Sequence, residues 1–198
     1  MNSEIKNMLQ AEASAILNIP VTENFGKAVD LIYKAVHLNK GKLVASGMGK
    51  AGQIALNIAT TLSSTGTPAV FLHAAEAQHG DLGVIQQNDV LLLISNSGKT
   101  REILELVELS RRMFSQIPFI VITGNTNSPL AEVTDIVIDT GNPTEICPLG
   151  LTPTTSTTTM TVIGDILVVL LMKKIGYSTQ DYAKRHHGGY LGEKSRNL

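Results

Sequence analysis

Ser95, Asn96, Ser97, Gly98, Lys99 and Thr100 put three hydroxyls, an amide and an ammonium into six consecutive residues. They follow the apolar run Val90, Leu91, Leu92, Leu93 and lead into a helical pattern carrying Ile103, Leu104 and Val107. The reading is a buried strand, a tight turn, then a helix. A helix N-terminus offers unpaired N–H donors and a partial positive charge, so the turn suits a phosphate or another anion. Gly98 lets the main chain approach a ligand. Serines and threonines also cap ordinary turns, but this density of donors favours an anion site. A nucleotide P-loop is excluded, because it needs a glycine five positions before Gly98 and Leu93 stands there.

A second turn, Gly47-Met48-Gly49-Lys50-Ala51-Gly52, follows the strand pattern Lys42 to Ser46 and opens a helix marked by Ile54, Ile58 and Leu62. It spells G-x-G-x-x-G. A dinucleotide site would also need an acid at the end of the next strand to hold the ribose. That strand, Ala69 to Leu72, ends in His73. The glycines therefore read as serving some other ligand that must approach the backbone, with Ser46, Gly47 and Gly49 beside it. Lys50 stands at the wrong end of a helix dipole. That placement is explained better by a cation aimed at an anionic or polarised oxygen than by a solvated surface charge.

Residues 74–83 read as a polar pocket-lining loop containing His79 and Asp81. His73, His79 and Asp81 lack zinc-protease or zinc-finger spacing. After the fifth strand pattern come Glu145 to Pro153, then six hydroxyl residues, Thr154 to Thr159. They read as a helix entry with donors to spare. The helix, roughly 157–174, is apolar nearly all round and must be buried in the core or against another subunit. Cys147 reads as a small apolar filler. The tail carries His186 and His187 among glycines, as a frayed terminus, an adventitious metal-binding pair, or a segment completing a neighbour's site.

These residues need a frame to position them. Helices are expected over 2–18 and 23–38. In the first, Ile5, Met8, Leu9 and Ile16 share a face that Glu12 interrupts. Strands are expected at 42–46, 69–73, 90–93, 117–123 and 136–138, alternating with helices. That alternation predicts a three-layer αβα sandwich around a five-stranded parallel sheet, with ligands at the carboxyl ends of the strands. The glycine turn, the His79 loop, the serine turn and the Glu145 segment all fall at that end.

The 198 residues fit one domain, and a net charge of −1 with 4% aromatics argues against nucleic-acid binding and a polybasic membrane anchor. Residues 1–10 do not read as a signal peptide. The longest apolar run, 166–172, is too short to span a bilayer. A single cysteine excludes an internal disulfide. Together these features read as a soluble cytoplasmic protein without a membrane partner.

Gly47 to Gly52, Ser64 to Pro68, Ala75-Glu76-Ala77 with His79 to Gly83, Ile94 to Gly98, Glu145 to Gly150, and His186 with Gly188-Gly189 resemble, in order and spacing, the sugar isomerase (SIS) domain of the arabinose 5-phosphate isomerases. The likeness runs over most of residues 40–192. It implies a single Rossmann-like SIS domain over 1–198, with N-terminal helices at 1–40, an α/β core at 41–176 and an active-site tail at 177–198. Many family members continue into a pair of CBS domains, which this sequence is read as lacking. His187 stands where proline is common, as does Ala74, and Lys99 where an acid is common.

The resemblance implies interconversion of D-ribulose 5-phosphate and D-arabinose 5-phosphate for synthesis of the acid sugar Kdo of lipopolysaccharide or capsule. It implies no cofactor and a homotetramer with active sites shared between subunits. A Kdo-nucleotide is the expected feedback inhibitor, and His79 with His186 the expected place for adventitious, inhibitory zinc. The site residues it carries over are Lys50, Glu102, Glu145 and His186. Glu145 is expected to be the carbon base, with its pKa raised by an apolar loop. His186 of a neighbour would move the oxygen-bound proton, Lys50 would polarise the carbonyl or hold the phosphate, and Glu102 would orient Lys50. The division of labour between the two glutamates stays open. The alternatives are a non-catalytic phosphosugar sensor, or a related hexulose-phosphate or amino-sugar isomerase.

Overall fold

The computed structural model describes residues 1–196. Five parallel strands form one sheet: β1 (Leu43–Gly47), β2 (Ala69–Phe71), β3 (Val90–Ile94), β4 (Phe119–Thr123) and β5 (Ile136–Asp139), in the order β2-β1-β3-β4-β5. β1, β3 and β4 are buried at every position. That explains their unbroken apolar runs, since strands covered on both faces need no polar alternation. The period of two still sorts the side chains. Leu43, Ala45, Val90, Leu92, Ile94, Ile120, Ile122 and Ile138 enter one core cluster, while Val44, Leu91, Leu93, Phe119 and Val121 enter the other.

The first cluster is closed by α2 (Asn24–Ile32, continued by a π-helical turn over Tyr33–Leu38), α3 (Gly49–Ser64) and α7 (Thr155–Ile175). The second is closed by α4 (Ala74–Ala77), α5 (Arg101–Met113) and α6 (Pro129–Glu132). The expected three layers are present. α1 (Asn2–Leu17) buries no residue and leans on α7.

Some expectations change. The segment after β2 is not an open loop: α4 and a 3-10 turn at Asp81–Val84 occupy it. The tail forms α8 (Thr179–Arg185), closed by a Ser178/Asp181 capping box, and α9 (Gly189–Arg196). β4 starts at Phe119 because Pro118, lacking an N–H, cannot open the ladder earlier. α7 as a whole, 21 residues, is long and apolar enough to cross a bilayer, which the short run 166–172 did not suggest. Here half of its most apolar stretch is buried inside the fold. It packs on α3, and Gly164 lets it in: a Cβ there would lie 2.5 Å from Ile58 Cγ1.

The sheet order fixes where a ligand can sit. From β1 the chain crosses to β2 on one side and later returns to β3 on the other. The carboxyl ends of β1 and β3 flank that reversal, where open α/β sheets leave a crevice. Gly47 pairs with Ile94 in the ladder, so the glycine turn and the serine turn leave the sheet side by side.

Candidate active site

The glycine turn is built for close packing. A Cβ on Gly47 would meet the Ala51 carbonyl at 2.8 Å, and one on Gly52 would meet the Gly47 oxygen at 2.7 Å. Gly49 has open space but a φ of +58°. The motif therefore brings the first turn of α3 against the end of β1. In the serine turn, the Ser95 and Thr100 hydroxyls bond each other at 2.9 Å, and Ser95 Oγ accepts the Gly98 N–H at 3.2 Å. Ser97 Oγ accepts the Lys99 N–H at 3.2 Å.

Both turns open onto a cavity of about 590 Å³. Lys50 and Met48 line it from the α3 side, Ser95, Asn96, Ser97 and Thr100 from the α5 side, and Glu145, Ser156 and Thr157 from the α7 side. Three helix N-termini thus face one space. Neither α3, with Met48 at its N-cap, nor α5, with Thr100, has a side-chain cap. Their first-turn N–H groups remain available to a ligand. The third terminus is already served by an anion. Glu145 Oε2 accepts the Thr154 N–H at 2.7 Å, the Thr154 hydroxyl at 2.9 Å and the Ser156 N–H at 3.3 Å. Its Oε1 accepts the Ser156 hydroxyl.

This overturns one expectation. Desolvation does push the Glu145 carboxyl upward, but the Ser156 and Thr154 hydroxyls and N–H groups outweigh it and hold the pKa below the ordinary glutamate value. The loop is apolar, as read, yet the carboxylate looks back onto the donors of α7 rather than into the apolar side chains.

Other candidate residues lie elsewhere. Ser46 is fully buried and donates to the Leu72 carbonyl at 2.6 Å, which ties β1 to the end of β2. Glu102 sits half-buried in the first turn of α5, outside the cavity lining, and no ion pair joins it to Lys50 among the described residues. His79 is exposed beyond α4. His186 stacks on Tyr182 with ring centroids 3.7 Å apart, and its Nδ1 lies 3.0 Å from the Tyr182 carbonyl. Neither histidine lines the cavity. Among the described residues, no three His, Cys, Asp or Glu side chains gather as a metal site.

Sequence reasoning missed Asn142. It lines the cavity with a φ of +46°, just after Gly141 at +79°. Adjacent Gly and Asn after a strand end are a turn signal, and this one was available. Cys147 is more than a filler. The Thr152 hydroxyl, then the N–H groups of Thr152, Leu151 and Leu149, stabilise its thiolate and bring the thiol down to about 6. Alkylation by iodoacetamide should therefore reach half its maximal rate near pH 6. Labelling followed by intact mass reads this residue alone, because the chain has one cysteine. A midpoint near ~8.5, as for a free thiol, would contradict the cradle.

Comparison with known proteins agrees with this architecture. The SIS domain family model matches residues 38–170. The arabinose 5-phosphate isomerase KdsD of Yersinia pestis is 44% identical over 191 residues, covering 96% of this chain and 56% of the relative. The chain thus spans about half the length of the curated relatives it matches. A solved Bacteroides fragilis protein, a candidate phosphosugar isomerase involved in capsule formation, is 63% identical with a TM-score of 0.95, covering 96% of this chain and 99% of that one. The c3406 protein of Escherichia coli CFT073, solved in complex with arabinose 5-phosphate, is 34% identical with a TM-score of 0.84, covering 91% and 94%. With its five-stranded parallel sheet, its paired ligand turns and these matches, the chain belongs to the SIS domain family.

Proposed function

We propose that the chain is a cytoplasmic aldose–ketose isomerase that interconverts D-arabinose 5-phosphate and D-ribulose 5-phosphate through a cis-enediol, supplying Kdo synthesis for lipopolysaccharide or capsule. The observation that carries the reading is the cavity with three helix N-termini, two uncapped and the third holding a carboxylate. Uncapped N-termini and hydroxyls at Ser95, Ser97 and Thr100 suit a phosphate. Lys50 and Glu145, on other walls of the same space, supply a cation and a base. The printed names of the KdsD relatives and the arabinose 5-phosphate complex of the Escherichia coli protein supply the sugar.

Glu145 takes the proton from C2 of the open-chain aldose, and the electron pair moves to O1 as C1 and C2 become an enediolate. Lys50 stabilises the developing charge. A proton passes from O2 to O1, and Glu145 returns its proton to C1, leaving the ketose. We assign the oxygen-to-oxygen transfer to His186 of a neighbouring subunit. Its Nδ1 faces a carbonyl, which favours the tautomer protonated there with the lone pair on Nε2. Glu102 would turn Lys50 only with ligand bound, since the two are not paired in this chain. Proton transfers suffice, so no cofactor is invoked.

The reading includes a homotetramer with shared sites. Ile5, Met8, Leu9 and Leu17 of α1, Ile166 and Val169 of α7, and Leu149 and Leu151 beside the cavity are exposed apolar side chains that a second copy would cover. It also includes a Kdo-nucleotide as feedback inhibitor.

Product analysis with five- and six-carbon sugar phosphates tests the substrate. Turnover is expected with arabinose and ribulose 5-phosphates and inhibition with a Kdo-nucleotide. Turnover of hexulose 6-phosphate alone would make the chain a hexulose-phosphate isomerase, and tight binding with no turnover would make it a sensor.

A further inference from the structure

Glu12 sits where α1 should be apolar. It falls on the Ile5, Met8, Leu9, Ile16 stripe, one or two turns from each. The structure shows what it faces. Glu12 Oε1 accepts the Thr155 hydroxyl at 2.9 Å, although the two residues lie 143 apart in sequence. Thr155 Oγ1 in turn accepts the Ile146 N–H at 3.2 Å. Thr155 is 1% exposed and is the first residue of α7, between the two residues whose N–H groups hold Glu145. Ile146 follows Glu145 directly. Glu12 Oε2 is buried and has no hydrogen-bond partner in this chain.

A carboxylate oxygen buried without a partner does not help stability, and an apolar side chain here would complete the stripe. α1 buries none of its residues, so it makes little other contribution to the core. What Glu12 does secure is the orientation of one hydroxyl. With its hydrogen directed to Glu12, Thr155 Oγ1 presents a lone pair to the Ile146 N–H. That bond pins the main chain next to the base, while the Thr154 and Ser156 donors pin its carboxylate from the other side.

We propose that Glu12 is a positioning residue, acting through Thr155 and the Ile146 N–H to fix the loop that carries Glu145. The relay is geometric. Its link to catalysis rests on the reading of Glu145 as the carbon base.

The test uses the full chain with Glu12→Ala, Glu12→Gln, Thr155→Val and the Glu12→Ala/Thr155→Val pair. A misplaced reacting group costs one to two orders of magnitude in rate, so Glu12→Ala and Thr155→Val should each lower kcat about 10-fold or more. KM for arabinose 5-phosphate should stay within about twofold, because the phosphate turn is untouched. Glu12→Gln keeps an acceptor for the Thr155 hydroxyl and should recover most of kcat. The double variant should be no slower than either single one, as for two parts of one unit. A purely structural role for α1 would instead lower the melting temperature and leave kcat per folded site unchanged.

Hydrogen exchange at the Ile146 amide reads the relay without turnover, and protection should fall in Glu12→Ala and return in Glu12→Gln. Unchanged kcat and unchanged Ile146 protection in Glu12→Ala, beside an active wild type, would overturn the proposal. An inactive wild type in which Ile146 protection follows Glu12 would remove the isomerase reading and leave the relay standing.

Discussion

Glu145→Gln is expected to lose turnover of arabinose 5-phosphate by a factor of roughly 10²–10⁴, the range for a positioned acid–base group. Affinity for the sugar phosphate should stay within about threefold, because the proposed phosphate donors lie on the α3 and α5 turns, on other walls of the cavity. The substitution is mild in structural terms. The Thr154 and Ser156 N–H groups can still donate to the amide oxygen, and the Ser156 hydroxyl can turn to accept from its NH₂.

The pH behaviour follows from the same bonds. Glu145 is held below the ordinary glutamate value, so its carboxyl is ionised at neutral pH. Its donors stabilise the folded chain above the unfolded-state pKa, and that contribution is lost as pH falls through the lower folded value. The acid limb of kcat/KM should therefore lie below an ordinary carboxylate titration. A limb displaced upward towards neutrality would contradict that cradle of donors, because kcat/KM reports the free enzyme.

Gly98→Ala should be the most damaging conservative change in the ligand turns. Gly98 has a φ of +64°, and a Cβ there would fall 1.9 Å from Ser128 Oγ and 2.4 Å from Ser128 Cβ. Ser128 is itself committed, since its Oγ caps α6 by accepting the Ala131 N–H. The Gly98 carbonyl also takes the Leu130 N–H at 3.1 Å, so the serine turn and α6 are fastened at this residue. Overpacking and left-handed strain together should cost about 2–4 kcal/mol. In a domain of this size that lowers the melting temperature by roughly 5–15 °C. Phosphate affinity should fall as well, because the Gly98 N–H shapes the Ser95 hydroxyl. Gly83→Ala is the control. Gly83 has nothing within 4 Å of its Cβ position and no positive φ, so melting should barely change. Equal melting for both variants would refute the packing argument.

Much of this arrangement could be read from residues alone. The apolar runs at β1, β3 and β4, the glycine spacing and the serine turn each carry their signal locally, and the parallel sheet follows from their alternation. The cavity walls at Lys50 and at Ser95 to Thr100 were legible for the same reason. Glu145 was legible as a site residue only through the family resemblance, and its electrostatics were not. They depend on Thr154 and Ser156, nine and eleven residues away, folding back onto it. The Glu12 contact joins residues 143 apart, so no window of sequence reveals it. The helices in the tail were obscured by glycines and by the adjacent histidines, whose composition reads as fraying. His186 lies outside the lining of the cavity in the single chain.

The central claim is that Glu145 moves a carbon-bound proton of a five-carbon sugar phosphate. The direct test is NMR of arabinose 5-phosphate incubated in deuterated water with the wild-type chain, beside Glu145→Gln. Loss of the C2 proton signal together with appearance of ribulose 5-phosphate is predicted in the wild type, and neither in the variant. Binding of the sugar phosphate by the wild type without exchange or product would contradict the isomerase and leave a sensor. Equal exchange in both proteins would keep the isomerase and take the base away from Glu145.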